Sequence, residues 1–250
     1  MVTLSRLLLV VLFFFSAVAV PALAEQPDLR QLIQQVERQY TGESSIATVE
    51  MTVETGHWER HLTMELWSLG RERFLVRIVA PAKEKGVATL KVDNEVWNYL
   101  PKVDRVIRVP PSMMGGAWMG SHITNDDLVK ANKIDEDYDF RLLEQNAASW
   151  VIEALPKPTA AVIWGKIIYQ LNPETLVPER IDYFDEEDLL VRQIVFADVQ
   201  LVNGRWVPLR MTVLPVEKPA EKTVLQYRRL QFNVGLEKSF FSLGRLKERR

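Results

Sequence analysis

The stretch WNYLPKVDRVIRVPPSMMGGAWMGSHITNDDLVK, residues 97–130, decides how this chain is read. It opens as a strand, with Trp97-Asn98-Tyr99-Leu100-Pro101 leading through Arg105 and Arg108. Its character changes at Pro110-Pro111, after which Met113, Met114, Trp118 and Met119 crowd together before the polar run Thr124-Asn125-Asp126-Asp127. Flexible thioethers suit a surface that accepts variable apolar shapes. The segment reads either as a plug at one end of a β-core or as a lid over an apolar cavity. Gly115, Gly116 and Gly120 would give such a lid hinges at low steric cost. Thr124 or Asn125 can cap a short helix, with Asp126 and Asp127 favourably placed in its first turn.

Outward from this segment the apolar residues recur with a period of two. Leu62, Met64 and Leu66 share a face, as do Phe74, Val76 and Ile78, with Arg73 and Arg77 pointing the other way. The same alternation returns at 86–93, 96–101, 103–109, 139–144, 150–155, 164–171, 178–184, 189–199, 206–214 and 223–232. Turn signals such as Leu69-Gly70, Asn172-Pro173 and Asn203-Gly204 separate the runs. About eleven strands are expected. One helix opens the series, with Leu29, Leu32, Ile33, Val36 and Tyr40 at helical spacing, Asp28 as cap and Gly42 as stop. The expectation is a mainly β protein: a large curved antiparallel sheet forming an unclosed half-barrel, covered by the N-terminal helix and a short helical lid. Neither a linker nor an internal repeat divides it, so residues 25–250 are expected to form a single domain.

At the N-terminus Arg6 precedes an apolar run from Leu7 to Phe15, and Ala22-Leu23-Ala24 follows Pro21. This is the pattern of a cleaved secretory signal over residues 1–24, too short for the roughly 20 residues that span a bilayer. The expected location is the periplasm. The chain has no cysteine. That removes a disulfide framework, a thiolate metal site, a cysteine nucleophile and a lipidated anchor.

Lys plus Arg total 31 against 33 for Asp plus Glu. Without a basic block, nucleic acid is not an expected partner; the one basic cluster, Arg245 to Arg250, reads as a solvated tail. No catalytic residue, cofactor or metal site is assigned. His57 and His61 lack the Glu of a zinc-protease helix and sit in a strand-like run, and the run Asp185-Glu186-Glu187-Asp188 reads as a hairpin tip.

The motif Tyr99-Leu100-Pro101, Arg105, Arg108, Pro111, Met113-Met114, Trp118-Met119-Gly120-Ser121 and Thr124-Asn125-Asp126-Asp127-Leu128 resembles the signature of the LolA-like superfamily, bacterial outer-membrane lipoprotein-sorting-like proteins. In outline the resemblance runs from about Leu29 to Phe241 and includes Tyr169-Gln170-Leu171-Asn172 and Val177-Pro178-Glu179-Arg180. It implies an unclosed β-barrel, an apolar cavity and carriage of lipid-modified proteins or related lipids across the periplasm, without catalysis. The partners it implies are lipoprotein acyl chains or phospholipid, an inner-membrane exporter or transporter, and an outer-membrane acceptor. It also implies a sheet arginine that bonds to the lid, for which Arg105 and Arg108 are the positions expected. The alternative on the same fold is an envelope sensor or adaptor that binds a membrane transporter or regulator.

An acyl cavity needs no catalytic motif, because burial contributes about 0.8 kcal/mol per methylene. Alternate strand residues would line it: Leu66, Phe74, Val76, Leu90, Trp97, Tyr99, Ile167, Ile181 and Phe196, with Met113, Met114, Trp118 and Met119 on the lid.

Overall fold

The computed structural model describes residues 27–130 and 134–248. The signal expected at residues 1–24 lies outside the described residues. Helix α1 spans Leu29–Glu37. Its start is set by Asp28, whose carboxylate accepts bonds from the Arg30 and Gln31 amides, and Leu32, Ile33 and Val36 form its buried stripe.

The strands are β1 (Ser44–Glu54), β2 (Glu59–Leu69), β3 (Arg73–Ala80), β4 (Ala88–Val92), β5 (Glu95–Leu100), β6 (Arg105–Arg108), β7 (Tyr138–Gln145), β8 (Trp150–Pro156), β9 (Lys166–Leu171), β10 (Pro178–Phe184), β11 (Leu190–Val202), β12 (Arg205–Pro215) and β13 (Lys222–Phe232). Short helices α2 (Asn125–Lys130) and α3 (Ile134–Asp137) lie between β6 and β7, and α4 (Leu243–Lys247) follows β13.

All thirteen strands join one sheet in the order β6-β5-β4-β3-β2-β1-β13-β12-β11-β10-β9-β8-β7. Every neighbouring pair is antiparallel, as in β1 with β2 and with β13. The sheet is therefore two meanders joined edge to edge at β1 and β13. Among the described residues β6 and β7 are its two edges, and the barrel is unclosed. The chain passes from one edge to the other through residues 109–137, so the Met-rich segment is the crossover itself.

Register decides which side chains face inward. Across β1, β2 and β3, Ala47 pairs with Leu66 and Leu66 with Val76; Val49 pairs with Met64 and Met64 with Ile78. These join Met51, Val53, Leu62, Val207, Leu230 and Phe232 in one apolar cluster on the concave face. A second concave cluster lies under α1 and gathers Ile152, Ile167, Tyr169, Leu171, Ile181 and Tyr183.

A third cluster lies on the opposite face. Trp67, Leu75, Ala88, Leu90 and Tyr99 are covered there by Phe241 and Leu246 of the C-terminal segment. Two expectations change as a result. The tail read as solvated docks as α4, where Leu246 is fully buried. Arg77, read as an outward position, is buried beneath it and donates to the Arg245 carbonyl at 2.7 Å, satisfying the end of α4.

Candidate functional site

The crossover folds over the first concave cluster in three pieces. A 3-10 turn at Pro111–Met113 follows β6, a second at Trp118–Gly120 turns the chain inward, and α2 completes it. Asn125 organises the bend: its side-chain amide donates to the Gly116 carbonyl at 3.0 Å, and its backbone amide reaches the same oxygen. A Cβ on Gly116 would stand 3.1 Å from the Met113 carbonyl, tight enough to favour glycine there. Thr124 caps α2 by accepting from the Asp127 amide, while the Asp127 carboxylate accepts from the Thr124 amide at 2.8 Å.

Trp118 is the side chain that this geometry drives into the interior. It is buried in the first concave cluster, and Met119, Ile123 and Leu128 pack around the same core. Its indole N–H donates to Thr89 Oγ1 at 3.0 Å, and the Thr89 hydroxyl in turn donates to Asn98 Oδ1 at 2.7 Å. Met113 and Met114 do not share this position. Met113 is 62% exposed, and Met114 lines a cleft of about 480 Å³ with Arg108, Pro111, Asp126 and Val129.

The predicted cavity residues divide among three places. Leu66, Phe74 and Val76 lie with Trp118 on the concave face. Ile167, Ile181 and Phe196 also face inward but belong to the α1 side. Leu90, Trp97 and Tyr99 stand on the opposite face beneath the C-terminal segment, which corrects their assignment to the cavity. The sequence of β4 alternates, but both of its faces are covered and its apolar residues Ala88, Leu90 and Val92 pack toward the C-terminal segment, so alternation alone does not say which face is inward. At these strands the inward positions are Thr89, Lys91, Val96 and Asn98.

The sheet-to-lid fastening is also placed differently from expectation. Arg105 is exposed, and Arg108 pairs with Glu95 on the neighbouring strand. Among the described residues, neither bonds to the lid. Arg192 of β11 does, its two terminal nitrogens reaching the two Asp127 oxygens at 2.7 and 2.9 Å. The guanidinium also lies 4.6 Å from the Trp164 ring centre and 4.4 Å from that of Tyr183. Burial alone raises the Asp127 carboxyl, but Arg192 and the bonds from Thr124 outweigh it and hold the group below the usual carboxylate range. Arg60 of β2 adds a second tie, donating to the Met119 carbonyl at 2.6 Å while it pairs with Glu84. His122 adds a third, through Thr223 and Glu221.

A separate ionic knot anchors α1. Asp135 of α3 pairs with Arg71 at 2.5 Å and accepts from Gln34 at 2.7 Å. Nearby, Glu37 accepts from the Tyr169 hydroxyl at 3.2 Å. Burial pushes the Glu37 carboxyl up to about 8, against the opposing pull of Tyr169 and Arg71.

Alternate turns of an antiparallel meander fall at one end of the sheet. At the end where Arg60 and Thr223 hold the lid, those turns carry the exposed apolar residues Trp58, Val103, Ile163, Leu189 and Val216. His61 lies beside them as an ordinary surface residue, bonded to Thr52 and Glu59.

A family model described only as uncharacterized-protein-like matches residues 70–248. No curated protein matches the chain at a significant level. Among solved structures, a DUF1329 family protein from Desulfovibrio piger aligns with a TM-score of 0.78 at 22% identity, covering 87% of this chain and 97% of that one. A putative outer membrane lipoprotein-sorting protein domain from Vibrio parahaemolyticus aligns with a TM-score of 0.75 at 24% identity, covering 88% and 98%. A LolA superfamily protein from Nitrosomonas europaea gives 0.70 at 20%, covering 86% and 98%. The chain therefore belongs to the uncharacterized-protein-like family matched at residues 70–248, and it shares the fold of these three solved structures.

Proposed function

We propose that this protein is a non-enzymatic periplasmic carrier, holding an acyl chain of a lipoprotein or related lipid in the half-barrel and moving it between inner and outer membrane. The observation that carries this reading is the position of Trp118, a lid side chain inserted into the apolar concave face where cargo would lie. The cover is one crossover segment, tied to the sheet by a few polar contacts around Arg192, Arg60 and His122.

Magnitudes favour a reversible device. A sixteen-carbon chain contributes about 12 kcal/mol on burial at about 0.8 kcal/mol per methylene. Breaking a buried ion pair costs about 3–5 kcal/mol, and withdrawing a packed tryptophan costs about 3–5 kcal/mol. Cargo can therefore displace the lid with only a modest surplus, which permits release.

A second reading is supported by the exposed apolar residues at the lid end, Trp58, Val103, Ile163, Leu189 and Val216. They suit transient contact with a membrane transporter, and on an adaptor they would be the whole function. Native mass spectrometry of protein prepared from periplasm without detergent separates the two. A carrier retains about one acylated peptide or phospholipid per chain, released when excess fatty acid is added. A mass that stays free of lipid when acylated peptides are offered would leave the adaptor.

A further inference from the structure

Trp118 brings more than bulk to the concave face. Its indole N–H is bonded to Thr89 Oγ1, and Thr89 is 1% exposed. The Thr89 hydroxyl spends its single proton on Asn98 Oδ1 at 2.7 Å, so toward the interior it can act only as an acceptor. Thr89 also faces inward beside Val76, at the margin of the apolar cluster that surrounds Trp118. When the tryptophan swings out, a buried acceptor beside Val76 loses its donor. A buried acceptor without a partner is costly, and a plain hydrocarbon cannot repair it.

We propose that Thr89 is a specificity-determining residue: it selects acyl cargo that carries an N–H or O–H donor next to the chain, and the Trp118 indole is the stand-in for that donor in the closed protein. The inference rests on the carrier reading above. Its chemistry fits the amide of an N-acylated peptide or the hydroxyl of a hydroxyacyl chain, and disfavours a simple acyl ester, which offers acceptors only. A site built to bond a donor discriminates strongly against an analogue that lacks it.

The test compares three sixteen-carbon probes by displacement of a fluorescent fatty acid: an N-acyl glycine methyl ester, its isostere in which an ester oxygen replaces the N–H, and a 3-hydroxyacyl version of that isostere. Wild type should bind at least one donor-bearing probe about tenfold more tightly than the plain ester, and the probe that is preferred identifies the source of the donor. Thr89→Val should abolish the preference by tightening ester binding, since it removes the acceptor and also frees Trp118 from its partner. Thr89→Ser keeps the hydroxyl and should keep the ratio, which guards against a folding effect of the valine. Equal affinities for all three probes in wild type, or an undiminished ratio in Thr89→Val, would overturn the inference while leaving the carrier intact. Failure of wild type to bind any probe would overturn the carrier reading and the inference with it.

Discussion

Arg192 grips both carboxylate oxygens of Asp127, at 2.7 and 2.9 Å, from a strand position on the same face as Ile194 and Phe196. One end of this pair belongs to the sheet and the other to the first turn of α2. Their side chains are only 7% and 17% exposed, so water does little to weaken the attraction. Asp127 also completes the cap with Thr124, which couples helix formation in the lid to its attachment.

Removing one partner leaves the other buried and uncompensated. Arg192→Ala should destabilise the protein by about 3–5 kcal/mol, read as a shift in the urea midpoint. Asp127→Asn keeps a capping oxygen and should cost less. In both variants, hydrogen exchange should quicken at residues 117–130 while β1, β2 and β13 remain protected.

The lid residues should differ sharply in their effects. Trp118→Ala should cost about 3–5 kcal/mol, as expected for a buried aromatic, and should tighten cargo binding, because the lid then competes less for the concave face. Met113→Ala should stay within about 0.5 kcal/mol of wild type, because that side chain is exposed. Similar midpoints for the two variants would refute the orientation of the lid described above.

The pH dependence has two opposed parts. Asp127 titrates below its ordinary range in the folded protein, so its contribution is present above the unfolded pKa and is lost as pH falls through the folded one. Glu37 is raised to about 8, so its contribution is complete below the ordinary carboxylate range and is lost as pH climbs toward about 8. Glu37→Gln should remove that alkaline loss and flatten stability between about pH 5 and 8. Urea midpoints measured across this range check the sign; an unchanged slope would show that Glu37 does not hold its proton.

The C-terminal segment should matter more than its basic composition implies. Leu246→Ala should cost about 2–5 kcal/mol, because Leu246 is fully buried with Trp67, Leu75 and Phe241. Deleting residues from Leu236 onward should expose this face and raise binding of a hydrophobic dye, as well as strip Arg77 of its carbonyl partner.

Much of the fold can be read from the sequence because period-two alternation survives wherever one face is solvated, as in 44–54 and 59–69. At β4 the alternation is present but Ala88, Thr89, Leu90 and Lys91 are all buried, so it does not say which face is inward, and Leu90 with its neighbours Trp97 and Tyr99 lies on the face opposite to the one expected. The sequence groups Met113, Met114, Trp118 and Met119 without ranking them, and periodicity does not distinguish the buried Trp118 from the exposed Met113 in an irregular segment. The fastening had a signal of its own. Counting back by twos from Phe196 through Ile194 puts Arg192 on an apolar face, and Arg60 stands likewise before Leu62 and Met64. An arginine on the apolar face of a strand marks a bound partner more reliably than the edge arginines Arg105 and Arg108. What sequence could not supply was the partner, since Asp127 is 65 positions away from Arg192.

On the carrier reading, the crossover leaves the concave face before an acyl chain enters. The chain has no cysteine, so one engineered pair can be locked without competing bridges. The His122 amide donates to Thr223 Oγ1 at 3.0 Å, and this contact between crossover and sheet is the place to engineer a bridge. In the double variant His122→Cys/Thr223→Cys, uptake of a fluorescent N-acyl peptide should be lost when the bridge is oxidised and restored when it is reduced. Equal uptake in both states would contradict the account, because cargo would then enter with the lid closed.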